Sequence, residues 1–108
     1  MFSNILVIAK DFNSSPAGRY RDYGDFSGER FREDFLLPRL KKFERVIVDF
    51  DGLSGVSSSF LEEAFGGLVH CGYYSPEELL EKLLLVGNDD FTIIPLVWKY
   101  VKKYQKLN

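Results

Sequence analysis

Three short apolar runs divide the chain: residues 5–9 (ILVIA), 46–50 (VIVDF) and 83–86 (LLLV). Each is too brief for a helix and reads as a strand. Val46, Ile47 and Val48 are β-branched, which suits a strand covered on both faces. For residues 83–86 the alternative is a helix continuing from Pro76 to Leu85, since leucine is a good helix former. The stretches between follow a helical period. Over residues 58–71, Phe60, Leu61, Ala64, Phe65, Leu68 and Val69 fall on one arc, and Glu62, Glu63, Gly66 and Gly67 fall opposite. That pattern predicts a helix with one core face and one wet, acidic face. Ser57 or Ser58 caps it, with Glu62 close enough to complete a capping box, and His70 and Gly72 form its stop.

The remaining elements follow from the same signals. Ser27 caps a helix with Glu29 in its first turn and Phe31, Phe35 and Leu36 as its buried stripe. Pro38 is expected to end or kink that helix, with Leu40 and Phe43 continuing the apolar contacts in a short turn. Ser75 caps the next helix, with Pro76 at its first position. The last helix runs from near Thr92 to Gln105. Ile94, Val97, Trp98 and Val101 face inward, and Lys99, Lys102, Lys103 and Lys106 face out. Residues 11–18 form a loop, residues 87–90 a turn, and residues 19–21 a brief edge strand. Strand and helix alternate throughout, which predicts an α/β sandwich with a mostly parallel sheet and right-handed crossovers. Residues 1–108 read as one domain.

Composition narrows the class of function. Net charge is −2, so no whole-molecule attraction to nucleic acid is expected. No apolar run approaches the ~18 residues of a membrane span, and no signal peptide is visible. The single cysteine, Cys71, reads as a structural thiol in a reducing cytoplasm. Aromatic residues make up 16% of the chain, which calls for a Phe-rich core or an exposed interaction surface.

In an open α/β sheet, ligands gather beyond the carboxyl ends of the strands. Three features converge there: the loop with Arg19, the helix start at Ser27 and Gly28, and the segment from Asp49 to Ser59. Arg19, Ser27, Gly28, Asp49, Asp51, Gly52, Ser57 and Ser58 therefore form a candidate anion or ligand site. In the opposing reading the serines only cap helices and Arg19 pairs with Asp49 or Asp51. Asp49-Phe50-Asp51-Gly52 is also similar to the phosphatase signature of the haloacid dehalogenase superfamily. That likeness implies a magnesium-dependent phosphatase with Asp49 as nucleophile and Asp51 handling protons. Leu53 departs from the signature, and Lys82 is the sole lysine between the two acidic motifs. His70 lies roughly 18 Å along the helix from Ser58, so it is no base for that serine. No residue is assigned a catalytic role, and no cofactor or metal is expected.

The segments Gly18-Arg19-Tyr20, Ser27-Gly28-Glu29, Phe31-Arg32-Glu33, Leu37-Pro38, Val48-Asp49-Phe50-Asp51-Gly52 and Ser58 to Leu68 resemble a bacterial STAS-like domain family of unknown function, over nearly the whole chain. Better-known STAS relatives include anti-sigma-factor antagonists and cytoplasmic domains of sulfate transporters. The resemblance implies a four- or five-stranded sheet flanked by helices and a protein-binding role. In the antagonists a partner kinase phosphorylates a serine at a helix start, and Ser58 and Ser59 occupy the comparable stretch here. Val56-Ser57-Ser58-Ser59 stands where those relatives carry an Asp-Ser pair, and residues 19–33 have no counterpart in them.

The expected fold is thus a STAS-like sandwich with three to five strands in a mostly parallel or mixed sheet. The expected function is a cytoplasmic, non-enzymatic regulatory module. It docks on a protein partner, a kinase-like ATPase, through the exposed face of the 58–71 helix and the adjoining loops. Ser58 or Ser59 is its phospho-acceptor. The alternative is a small-molecule or nucleotide-phosphate site.

Overall fold

In the computed structural model, which describes residues 3–104, three parallel strands form one sheet. They are β1 (Ile5–Val7), β2 (Val46–Asp49) and β3 (Leu83–Val86), in the order β1-β2-β3. Ile5 lies opposite Ile47, which lies opposite Leu84. Successive strands add on the same side, so right-handed crossovers place their helices on one face of the sheet. Burial alternates accordingly. Leu6, Val46, Val48, Leu83 and Leu85 point into the core, whereas Ile5 and Leu84 are 48% and 47% exposed. The expectation of a strand covered on both faces is therefore corrected. A continuous apolar run fits a doubly covered strand, but the described residues bury β2 fully on one face only, and Ile47 is half-buried on the other.

The outer edge of β1 is closed by side chains. Asp11 Oδ2 accepts from Val7 N–H at 2.8 Å, and Ser3 Oγ both donates to Ile5 O and accepts from Ile5 N–H. Strand β1 is shorter than its apolar run. Ile8–Phe12 winds into one π-helical turn, in which Asn13 N–H donates to Ile8 O.

Helix α1 covers residues 28–42. It is α-helical at Gly28–Arg30, widens to a π register at Phe31–Leu36 and returns to α at Leu37–Lys42. Pro38 does not end it. Leu37 N–H reaches five residues back to Arg32 O. The wider register makes room, just ahead of Pro38, for a residue that has no N–H to give. Leu40 is buried inside this helix rather than in a turn beyond it.

Helix α2, residues 58–70, has the same three-part form: Ser58–Leu61, π-helical Glu62–Gly66, then Gly67–His70. Gly72, at φ +82°, ends it. Helix α3 (Pro76–Lys82) carries a complete capping box between Ser75 and Glu78, and the chain then enters β3 rather than continuing as helix. Helix α4 (Ile93–Lys103) buries Ile93, Val97 and Val101, with Ile94 and Trp98 half-buried. Gln105 and Lys106 lie outside the described residues.

The core is rich in phenylalanine. Phe31, Phe60 and Phe65 are fully buried, and Phe12 packs edge-on against Phe31 and Phe35 at 5.2 and 4.9 Å between centroids. Helices α1 and α2 meet at Gly28, where a Cβ would stand 2.6 Å from Phe60 O. No helix among the described residues is long and apolar enough to cross a membrane.

Candidate functional site

Ser57 is the N-cap of α2. Its Oγ accepts from Phe60 N–H at 3.1 Å, and Gly18 N–H approaches the same oxygen at 3.4 Å. The early loop is therefore seated against the start of α2. It is also seated against the start of α1, because Gly28 N–H donates to Gly18 O and Glu29 N–H to Arg19 O, each at 2.9 Å. Ser27 Oγ accepts the next donor, Arg30 N–H. Ser27 and Gly28 are buried, and their end of α1 is filled by the protein's own chain. The structure thus brings together Arg19, Ser27, Gly28, Ser57 and Ser58. Ser58 is exposed at the first helical position, while Ser59 is half-buried with its Oγ 3.1 Å from Ser57 Oγ.

Arg19 does not pair with Asp49 or Asp51. Its Nη2 bonds Glu62 Oε1 at 2.6 Å. Glu62 also holds Lys103 Nζ and accepts from Tyr104 Oη. The Lys103 ammonium and the Arg19 guanidinium together lower the Glu62 pKa to about 2. Beside it, Arg32 Nη1 donates to Glu63 Oε2 at 2.8 Å and to Glu63 O at 2.6 Å, and Arg32 Nε bonds Glu33. Tyr73 Oη extends this chain to the other oxygen of Glu33. Burial opposes the Arg32 charge, but its bonds to Glu33 and Glu63 outweigh it and raise its pKa.

These contacts overturn the expected wet face of α2. Glu62 and Glu63 are 7% and 8% exposed, and every residue from Phe60 to Leu68 is buried. Glu62 closes no capping box, because its carboxylate is held by Arg19 and Lys103. A partner cannot use the flank of this helix. Only its start, at Ser58, and its end, at His70 and Cys71, reach the surface. Cys71 is exposed rather than a packed structural thiol.

A signal for this burial was present in Gly66 and Gly67. Mid-helix glycine costs about 1 kcal/mol relative to alanine, so a pair of them marks a close approach. A Cβ on Gly67 would meet Arg32 Nη1 at 2.2 Å, and one on Gly66 would meet the Tyr104 ring at 2.9 Å.

The loop around Arg19 is no edge strand. It contains a 3₁₀ turn at Arg21–Tyr23. Arg21 forks onto both oxygens of Asp34, and Arg30 Nη1 donates to Asp25 O while lying over the rings of Phe12, Phe26 and Phe35. Pinned in this way, the loop presents Tyr20 and Tyr23, which are 45% and 72% exposed. Phenylalanines thus fill the core while Tyr20 and Tyr23 stay exposed.

The acidic residues serve a different junction. Asp49 Oδ1 accepts from Asp51 N–H. Asp51 Oδ1 accepts from Asn88 N–H and Asp89 N–H, and Asp89 Oδ2 accepts from Gly52 N–H. Asp49, Asp51 and Gly52 thereby tie the exit of β2 to the exit of β3. Among the described residues no cluster of three His, Cys, Asp or Glu side chains is placed to hold a metal. Lys82 donates to Phe43 O at the amino end of β3, the opposite end from Asp49 and Asp51. An open, mixed-charge cleft of about 520 Å³ lies there, lined by Glu44, Arg45, Glu81 and Lys82.

A parallel three-stranded sheet with its helices on one face defines a small α/β domain, of a class that fits a regulatory or interaction module in general. The chain belongs to the STAS-like family of unknown function: the family model described as STAS-like domain of unknown function (DUF4325) matches residues 27–90. The match spans α1, β2, α2, α3 and β3. It leaves β1, the loop with Gly18, Arg19 and Tyr20, and α4 outside, so it is shorter than the near-complete resemblance read from the motifs. No curated protein and no solved structure matches the chain.

Proposed function

We propose that this chain is a regulatory protein-interaction module whose contact surface is the rim where the start of α2 meets the 17–26 loop. Ser58 is its phospho-acceptor, and the partner is a kinase-like ATPase. One observation carries this reading. Ser58 is exposed near a loop bearing Tyr20 and Tyr23, and that loop is fastened to α2 by the Arg19–Glu62 ion pair. Tyrosine and arginine are residue types that dominate contact energies at protein interfaces.

Transfer of a phosphoryl group from ATP to Ser58 Oγ, with loss of the hydroxyl proton, adds ~1.5–2 negative charges near pH 7. Ser58 and Glu62 are four residues apart and share one side of the helix. The new dianion repels Glu62, is favoured by the helix dipole and competes for Arg19. Lys103 remains to neutralise Glu62, so Arg19 moves to the phosphoryl group and the tyrosine loop is re-seated on the first turn of α2.

The test is phosphopeptide mapping of the chain purified from its native host, with Ser58→Ala and Ser59→Ala in parallel. Phosphate is expected on Ser58 and absent from the Ser58→Ala protein, with an ATPase co-purifying. Lack of phosphate on either serine, with no ATPase recovered, overturns the reading.

A further inference from the structure

The outward face of the sheet carries five apolar side chains and one acid: Ile5, Val7, Ile47, Leu84, Val86 and Asp49. Ile5 and Leu84 are nearly half exposed, and with Ile47 they form one row across all three strands. We propose that this face is a docking site for a single amphipathic α-helix of a partner protein, its apolar stripe laid along β2 and a lysine or arginine at the end that lies over Asp49. The proposal does not depend on Ser58 or on the surface around it.

Size and charge select this occupant. At about 4.8 Å between strands and about 3.3 Å per residue, the face measures roughly 14 by 13 Å. That is the footprint of two to three turns of one helix about 10 Å wide. A stable symmetric dimer needs about 800 Å² from each partner, several times this area, so the face suits a weak, transient contact with one short helix and not a permanent dimer. A strand added at β1 is excluded because Asp11 and Ser3 already occupy its outward N–H and C=O groups. Asp49 is the one charged residue among the six. It sits on the central strand at the carboxyl end of the face, so a basic residue there gains a partner and an acidic one is repelled.

The experiment uses the full chain, ¹⁵N-labelled, titrated with a helical peptide of about 14 residues that carries one leucine stripe and lysines at both ends. A second peptide has glutamates at its ends. The lysine peptide is expected to shift amides of residues 5–7, 47–49 and 84–86. Leu84→Asn is expected to weaken binding at least tenfold, and Ile5→Asn provides the same reading should that variant misfold. The glutamate peptide is expected to bind at least threefold more weakly. Asp49→Asn, which keeps an acceptor for Asp51 N–H, is expected to abolish that gap. Shifts confined to other residues, or no binding, overturn the proposal. So does a wild-type dimer in sedimentation that Leu84→Asn converts to monomer, since the occupant is then a second copy. Binding to phosphatidylglycerol vesicles that Leu84→Asn removes also overturns it.

Discussion

The outer side of α2 and the outer side of the sheet are opposites in composition and in fate. The first carries two carboxylates and is closed by the chain's own arginines, lysine and tyrosine. The second carries isoleucine, valine and leucine and is left open. Polarity along an element therefore does not say which side meets water. What decides is whether other parts of the chain supply the matching chemistry. Buried carboxylates can persist because every one of their charges is answered. Exposed aliphatic residues can persist because removing them from water requires something that none of the described residues supplies.

The largest expected effect breaks the closed side. Arg32→Ala leaves Glu63 buried without its cation and is expected to cost about 3–5 kcal/mol in urea unfolding. A loss under 1 kcal/mol would mean that this side of α2 is wet after all. Next comes Gly28→Ala. Its Cβ meets backbone atoms of α2 that have no room to give, so about 2–3 kcal/mol is expected, seen as a Tm fall of roughly 10–20 °C. An unchanged Tm would show that α1 and α2 are free to separate.

Glu62→Gln sharpens the comparison through pH. The carboxyl pKa is about 2 in the folded chain against 4.5 for the ordinary group. A lowered folded pKa means that the stabilisation is complete above pH about 4.5 and drains away as pH falls towards 2. The expected contribution is about 1–2 kcal/mol, reduced because Lys103 is well solvated. Plotted against pH, the difference between wild type and Glu62→Gln should shrink across that window; a constant difference would place the effect elsewhere. The smallest effect belongs to the open side. Leu84→Asn is expected to change stability by less than about 0.5 kcal/mol, because the leucine is already in contact with water.

Much of the architecture was legible in the sequence, because it depends on local chemistry. The three apolar runs became the three strands, and Ser27, Ser57 and Ser75 cap helices through bonds spanning three residues. What escaped notice depends on distance. Glu62 finds Arg19 and Lys103 at separations of 43 and 41 residues, and Glu63 finds Arg32 at 31. No periodicity within the 58–70 segment announces such partners, although its two glycines hint at them. Pro38 does not end its helix, because the chain adopts a wider turn just ahead of it, which a regular α-helical pattern does not foretell. The uncovered sheet face was concealed by leucines and β-branched residues that normally signal cover on both sides. At the candidate site, the meeting of Arg19, Ser57 and Ser58 was foreseeable from strand-end geometry. The specific pairing of Arg19 was not.

The side-chain plug along β1 has a bearing on how molecules of this kind tolerate crowding. Endless cross-β growth requires two receptive edges per molecule, one to add to and one to offer. Here Ser3 and Asp11 stopper one of them. Accidental pairing through β3 therefore halts after two copies instead of running on into a filament.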